Sequence, residues 1–420
     1  MGTTSETILA RGRVKEAAKE PTSLLHDFTA QQHSNVFMRA FSFGTNQLPT
    51  TAEKESQLAD RVLLVDDIGL IFQLREREHK VVAKSGDLEK WVSGQVVRKG
   101  VRRVQATREL LSSYTSLSIV NAFGQRMTVT PSKADRLVGI VIYRVPPKSR
   151  PFRAARFKQY RNGGFVHILR DTDYFEICQH FVTPAELVEY FAFRRDILLG
   201  WDPPSTAVSE TALIGQYLLE DFSSPPNSSL ERAARSRGGA TASEFSFVLD
   251  NLAAELSTHD EEEEDDEEDD PHYDETASHH DATTHSYEIL TELALLGWYD
   301  LRALKQQIRT ALEAVRANRF EQPLRIISTR RRCGFLIVPL MREFLERSLE
   351  ALDSLAMASK HELDLKRQVG IGMWQSSEFV DVEWVFLEGD NPPNPALDQR
   401  LARSYPFRRA SERRMPPIFT

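Results

Sequence analysis

Three side chains near residue 70 have the types and spacing for phosphate chemistry: Asp60, Gln73 and Arg75. Two runs of β-forming residues, Arg61–Asp66 (RVLLVD) and Leu70–Arg75 (LIFQLR), flank Asp67-Ile68-Gly69, whose composition suits a turn, so a hairpin is expected. A turn at Asp67-Ile68 sets opposite one another residues whose numbers sum to about 135, which brings Asp60 beside Arg75 to within a residue. Strand side chains alternate, so Gln73 and Arg75 share one face. Phe72 and Leu74 take the other and are expected to pack under the helix that follows. An acid, a carboxamide and a cation then converge at one end of the hairpin. The oxygens of such a set can hold a hard divalent cation, and the guanidinium can grip a phosphate with two parallel N–H donors. The plainer reading makes Asp60 a strand-end residue and Gln73 and Arg75 an exposed hairpin face. Asp66-Asp67 can be read as paired ligands, although an acidic pair at a hairpin tip suits turn chemistry better. His79 and Lys80 lie just past the hairpin, and nothing in the sequence fixes their direction.

The flanking segments supply the elements that must position these groups. A short helix is expected before Phe43 and another around Ala52–Leu58, carrying Glu53 and Glu55. After the hairpin, Trp91, Val92, Val96, Val97, Val101, Val104 and Leu111 recur near helical spacing across Asp87–Ser112. Lys99, Arg102, Arg103 and Arg108 are interleaved with them, giving an amphipathic helix with a basic outer surface. A second hairpin at Ser116–Val120 and Arg126–Val129, a buried strand at Leu137–Val145 and another at Gly164–Leu169 complete an α/β unit over residues 23–170.

Residues 171–257 read as helical. Thr183-Pro184-Ala185-Glu186 there has the pattern of a capping box with proline in the first turn. Residues 258–285 are acidic and histidine-rich with few apolar side chains, and are expected to be disordered, as is a polar leader over 1–22. Residues 286–420 alternate helical and strand patterns and read as a small C-terminal α/β domain. Gly370-Ile371-Gly372 falls inside a strand pattern, without the third glycine and helix of a nucleotide-binding fingerprint.

The hairpin with Asp60, Gln73 and Arg75, the upstream helical acid and the basic helix that follows resemble the PD-(D/E)XK, restriction-endonuclease-like, nucleases over about residues 50–145. The resemblance implies a mixed-sheet core within an α/β (α+β) fold. It also implies an Mg²⁺ site (with Mn²⁺ as substitute) made by Asp60, Gln73 and Glu55 (or Glu53), with Asp60, Gln73 and Arg75 catalytic. Lys99, Arg102 and Arg103 would then follow the nucleic-acid backbone, DNA more than RNA. Two departures bear on activity. Glutamine offers a neutral carbonyl where relatives often carry an acid. Arginine replaces lysine, and a guanidinium stays charged and cannot shuttle a proton, though it can clamp phosphate. The alternative is therefore a nuclease-fold module that binds nucleic acid or protein without cleaving. Gly164–Leu199 and the C-terminal part look like segments of uncharacterised bacterial proteins. By analogy, nucleases of this fold suggest genome defence, with a protein partner in such a system.

Bulk properties set the frame. A chain of 420 residues, 41% hydrophobic and 27% charged, suggests two or three globular domains. Its longest apolar runs, such as Gly139–Tyr143 and Phe335–Leu340, fall far short of the roughly 20 residues of a membrane helix. No apolar segment of a secretory signal appears in Met1–Glu20. Two cysteines, Cys178 and Cys333, suit a reducing compartment and a packing role, so a cytoplasmic setting is expected. The net charge is −8, but Asp260–Asp270 is a run of eleven carboxylates, so the remainder carries −8 + 11 = +3. Arginine-rich stretches at Arg98–Arg103, Arg144–Arg161, Arg330–Arg332 and Arg400–Arg414 make that remainder compatible with a nucleic-acid partner. The acidic run could compete for the same basic surface as an internal mimic, although a solvated spacer is the plainer reading.

Overall fold

The computed structural model describes residues 23–49, 57–77, 85–130, 136–146, 154–160, 164–200, 209–220, 226–237, 242–258, 276–328, 331–341, 348–376 and 379–407. The leader, the acidic run, Glu53, Glu55, His79 and Lys80 lie outside the described residues.

The architecture is mixed α/β. Helices α1 (Leu24–Ser34) and α2 (Val36–Phe41) lead into β1 (Ser42–Gly44), then the hairpin β2 (Arg61–Val65) and β3 (Ile68–Glu76). A long helix α3 follows in three consecutive segments, Ser85–Trp91, Val92–Gly100 and Val101–Leu111. After a small hairpin, β4 (Leu117–Val120) and β5 (Arg126–Val129), come β6 (Arg136–Arg144), β7 (Phe157–Gln159) and β8 (Phe165–Arg170). The first sheet has the order β1-β2-β3-β6-β8-β7, with β3, β6 and β8 mutually parallel and β2 antiparallel to its neighbours.

Helices α4 (Asp171–His180), α5 (Pro184–Gly200), α6 (Glu210–Leu219), α7 (Ser228–Arg237), α8 (Ala242–Thr258), α9 (Thr276–Ala294) and α10 (Trp298–Arg316) come next. The second sheet is built from β9 (Leu324–Ser328), β10 (Cys333–Pro339), β11 (Arg367–Gln375) and β12 (Val380–Glu388), in the order β12-β11-β10-β9. Helices α11 (Ser348–Glu362) and α12 (Pro395–Arg403) accompany it. The second sheet repeats the order of the first: antiparallel hairpin, helix, then a strand parallel to the hairpin's second strand.

The core explains the layering. One face of the first sheet (Leu63, Leu70, Phe72, Ile140, Ile142) and one face of the second (Phe335, Ile337, Val369, Ile371) share a single hydrophobic cluster with the helices between them. The outer face of the first sheet (Val62, Ile71, Val141, Val166) packs under α3, and that of the second (Leu336, Val338) under α11.

Two features of α3 depart from a regular helix. Leu88, Val92, Val96, Gly100 and Val104 are all buried and recur every four residues. In an α-helix of 3.6 residues per turn such a set drifts around the axis by about 40° per step. Val92–Gly100 is π-helical. Its wider i→i+5 turns take up the drift and keep the stripe on the sheet. The helix also runs close to β6: a Cβ at Gly139 would stand 2.5 Å from Val104, and one at Gly100 would stand 3.0 Å from Val141.

The structure corrects one expectation at the level of elements. Helix α9 begins at Thr276, inside the stretch expected to be disordered. Ile289, Leu290 and Leu293 anchor its C-terminal half in the core, and an anchored helix extends at little cost. The capping box is present as expected: the Glu186 N–H donates to Thr183 Oγ1 at 3.2 Å and the Thr183 N–H to Glu186 Oε2 at 3.2 Å. Among the described residues, no helix is long and apolar enough to cross a membrane.

Candidate phosphate-facing site

The hairpin turns one residue earlier than its composition suggests. Val65 pairs with Ile68, so Asp66 and Asp67 form the turn, with Asp66 in the left-handed region at φ 47°. Short polar side chains tolerate that conformation, which favours their turn role over a ligand role. Asp66 is also committed to an ion pair with Arg331, at the turn of the second sheet's hairpin. Paired residues therefore sum to 133 (65 + 68), which shifts the register by two. The residue facing Asp60 is Gln73, not Arg75. The Asp60 N–H extends the ladder by donating to Phe72 O at 3.0 Å.

The face is corrected as well. Ile71, Gln73 and Arg75 point to the α3 side, while Phe72 and Leu74 turn inward to the helical layer, where Phe72 meets Phe28 and Tyr174. The acid, the amide and the cation thus lie beneath the basic helix. Thr107 of α3 ties the two together, its Oγ1 accepting from the Ala59 N–H at 2.8 Å.

Within this corner, Asp60 Oδ2 accepts from the Leu74 N–H at 2.5 Å and from Gln73 Nε2. Gln73 is fully buried; its Nε2 also reaches Leu74 O at 2.9 Å, and its Oε1 is buried without a hydrogen-bond partner among the described residues. Arg75 is partly buried, and its Nε is likewise without a partner among the described residues. Arg103, one turn beyond the π-helical segment, acts electrostatically on both Asp60 and Arg75. Burial raises the Asp60 carboxyl above its ordinary value, opposed by the Leu74 N–H, Arg75, Arg103 and Gln73. Burial and the like charge of Arg103 lower Arg75, with Asp60 opposing. Both shifts describe charges held away from water with incomplete compensation.

The three basic residues expected to follow a backbone separate in space. Arg103 lies within electrostatic reach of the corner, Arg102 lines a cleft beside α3, and Lys99 is exposed and belongs to neither. Two residues with no sequence motif extend the corner along the parallel strands. Arg75 pairs with Tyr143, and Tyr143 with Arg170, so a row of three polar heads crosses β3, β6 and β8 at their C-terminal ends. Burial lifts Tyr143 to about 12, with Arg170 opposing. Only the pairing register reveals this row. The carboxyl ends of parallel strands are also where open α/β sheets receive ligands.

Searches against known family profiles, curated proteins and solved structures found no match for this chain.

The second sheet carries no counterpart of the corner. Pro323 stands before β9, and the side chains of Phe335–Val338 in β10 are apolar. Both cysteines are packing residues. Burial raises Cys178 to about 11 and pushes Cys333 higher still, away from the thiolate form. Among the described residues, no group of three or more His, Cys, Asp or Glu side chains is placed to hold a metal.

A buried ionic network that the sequence did not announce lies behind β8. Glu210 accepts from Tyr190 Oη at 2.6 Å, Arg194 Nε at 2.7 Å and Arg156 at 2.6 Å, and Arg194 reaches His167 Nδ1 at 3.0 Å. Burial alone would raise Glu210, but Arg194 and Arg156 bring it down to about 2. Burial and Arg194 keep His167 neutral.

Proposed function

We propose that this protein engages nucleic-acid phosphodiesters at the corner formed by Asp60, Gln73 and Arg75, within a nuclease-type core. The observation that carries this reading is the buried Asp60–Gln73 carboxylate–carboxamide pair, with Arg75 two residues on along the same strand and both Arg75 and Arg103 within electrostatic reach of the carboxyl. With Asp60 ionised the corner carries one negative and two positive charges, a balance that favours an anion. Partly desolvated guanidiniums present forked N–H donors matched to phosphate oxygens, and they keep their charge at any working pH. Arg75 Nε, buried and without a partner among the described residues, is a donor that a phosphate oxygen would satisfy.

A second reading, hydrolysis, is favoured by Gln73 Oε1, a hard oxygen beside Asp60 left without a partner among the described residues. Mg²⁺ takes oxygen ligands, keeps several waters and is commonly held by one or two protein groups together with substrate phosphate. The donor set fits that habit: Asp60 and Gln73 would hold the ion, with Glu55 as a further candidate. When bound, Mg²⁺ (or Mn²⁺) would supply Lewis acidity toward a phosphoryl oxygen and lower the pKa of a water. Arg75 would orient the scissile phosphate and stabilise its charge, but it would not carry a proton.

The test is incubation of the purified protein with supercoiled, linear and single-stranded DNA and with RNA. Each is run with Mg²⁺, Mn²⁺ or EDTA, beside Asp60→Ala and Arg75→Ala. Binding weakened by Arg75→Ala supports the phosphate-binding reading, and metal-dependent cleavage abolished by both substitutions supports hydrolysis. Absence of binding by wild type at low salt, or unchanged binding and no cleavage in both variants, would overturn the assignment.

A further inference from the structure

The stripe that keeps α3 on the sheet has a second consequence. Lys90, Gly94, Arg98 and Arg102 also recur every four residues, two positions away from Leu88, Val92, Val96 and Gly100. The π-helical turns that straighten the buried row straighten this one too. It lines an open cleft of about 830 Å³, whose other wall is Lys158 and Tyr160 at the edge strand β7. Lys90, Arg98, Arg102 and Lys158 are all exposed, and Glu89 is the one acid among the described residues of the lining. None of the four cations has an acidic partner among the described residues.

Gly94 adds an independent observation. A Cβ there would meet nothing within 4 Å among the described residues, so their packing does not require glycine. Glycine inside a helix is costly, and here its effect is to leave the floor of the cleft open between Lys90 and Arg98. Tyr160 is held in place at the wall, its hydroxyl donating to Val101 O at 2.9 Å, which fixes the ring beside the cations.

We propose that this cleft binds a single strand of nucleic acid, its cations taking backbone phosphates and Tyr160 offering a ring face to a base. The inference rests on the nucleic-acid reading above and adds to it a second contact surface, on the β7 side of α3, distinct from the corner. Arg98 and Arg102 lie roughly 6 Å apart along the axis, the order of the phosphate repeat of an extended strand. A cationic groove with an interleaved aromatic is the usual chemistry of sequence-tolerant strand binding.

The experiment is fluorescence anisotropy with a labelled oligothymidylate across a salt series. It compares wild type, an Arg98→Gln/Arg102→Gln/Lys158→Gln triple variant, Gly94→Leu, and a control triple variant Lys366→Gln/Arg400→Gln/Arg403→Gln on exposed residues elsewhere. Each phosphate contact on a single strand contributes about 0.7 to the log–log salt slope, so the cleft triple variant should lower the slope by about 2 and weaken binding at least about tenfold at low salt. Gly94→Leu removes no charge and should weaken binding by filling the floor, while circular dichroism reports an intact fold. Equal effects of the two triple variants would overturn the proposal, as would a duplex competing as well as the strand. Asp60→Ala and Arg75→Ala run alongside. Loss confined to these two sinks the cleft and leaves the corner standing; loss confined to the cleft variants does the reverse. No binding by wild type overturns both.

Discussion

Gln73 Nε2 donates to Asp60 Oδ2 while Gln73 Oε1, buried on the same amide, has no partner among the described residues. The amide neutralises part of the carboxylate's need for donors and leaves its own oxygen unused. Gln73→Glu replaces the donor with a second buried carboxyl. Two adjacent carboxylates out of water cannot both ionise freely, so one takes up a proton or the pair needs a cation. The variant should lose about 1–3 kcal/mol of stability at pH 8 in EDTA, and regain most of it at pH 5 or with Mg²⁺. Urea denaturation under these three conditions measures it. Equal stability with EDTA and with Mg²⁺ would remove the case for a cation at this corner.

Arg75→Lys separates charge from geometry. An ammonium loses its proton more readily than a guanidinium, and burial together with Arg103 would push the lysine's pKa down further, as they do for Arg75 itself. The variant should bind nucleic acid near pH 7 and lose affinity as the pH rises to 9.5, whereas wild type stays flat. Affinity measured at several pH values reads this directly. Parallel profiles would mean that residue 75 does not touch phosphate.

Asp173, at the start of α4, offers a pH test of the network behind β8. Burial, with the nearby charge of Glu210, raises its carboxyl from 3.8 to about 6. Above pH 6 the native state holds a charge that it disfavours. As the pH falls from 6 to 3.8, the native state takes up the proton before the unfolded chain does, and the penalty disappears. Asp173→Asn should therefore be more stable than wild type at pH 8, by on the order of 1–3 kcal/mol, and equal to it below pH 4. Denaturant titrations at pH 8 and pH 4 decide it, and an advantage of the same size at both would point to packing rather than charge.

Period and turn composition carried the local elements. The hairpin, the following helix and the capping box at Thr183–Glu186 are each decided by residues close in sequence, and each is present. The hairpin's exact turn was not legible, because Asp66-Asp67 and Asp67-Ile68 both offer turn residues, and a one-residue difference there moves the register by two. The face chosen by Gln73 depends on which layer covers which side of the sheet, and that is a tertiary fact. The π-helical segment left a trace in the strict four-residue spacing of Leu88, Val92, Val96, Gly100 and Val104, which a search for the 3.6 period passes over. Tyr143 and Arg170 join the corner only through pairing across parallel strands, which no local pattern encodes.

Gly94 makes the trade between stability and binding measurable at one position. It lies in the π-helical segment with open space where a Cβ would be. Alanine there restricts the unfolded chain and meets no obstacle, so Gly94→Ala should stabilise the protein by about 0.5–1 kcal/mol. If the cleft takes a strand, the larger side chain of Gly94→Leu should weaken binding well beyond the effect of alanine while retaining part of the stability gain. Thermal denaturation and strand binding measured on the same two variants separate these effects. A destabilising alanine would show that the wide turn itself requires glycine, and leucine binding as well as wild type would show that the cleft floor touches no ligand.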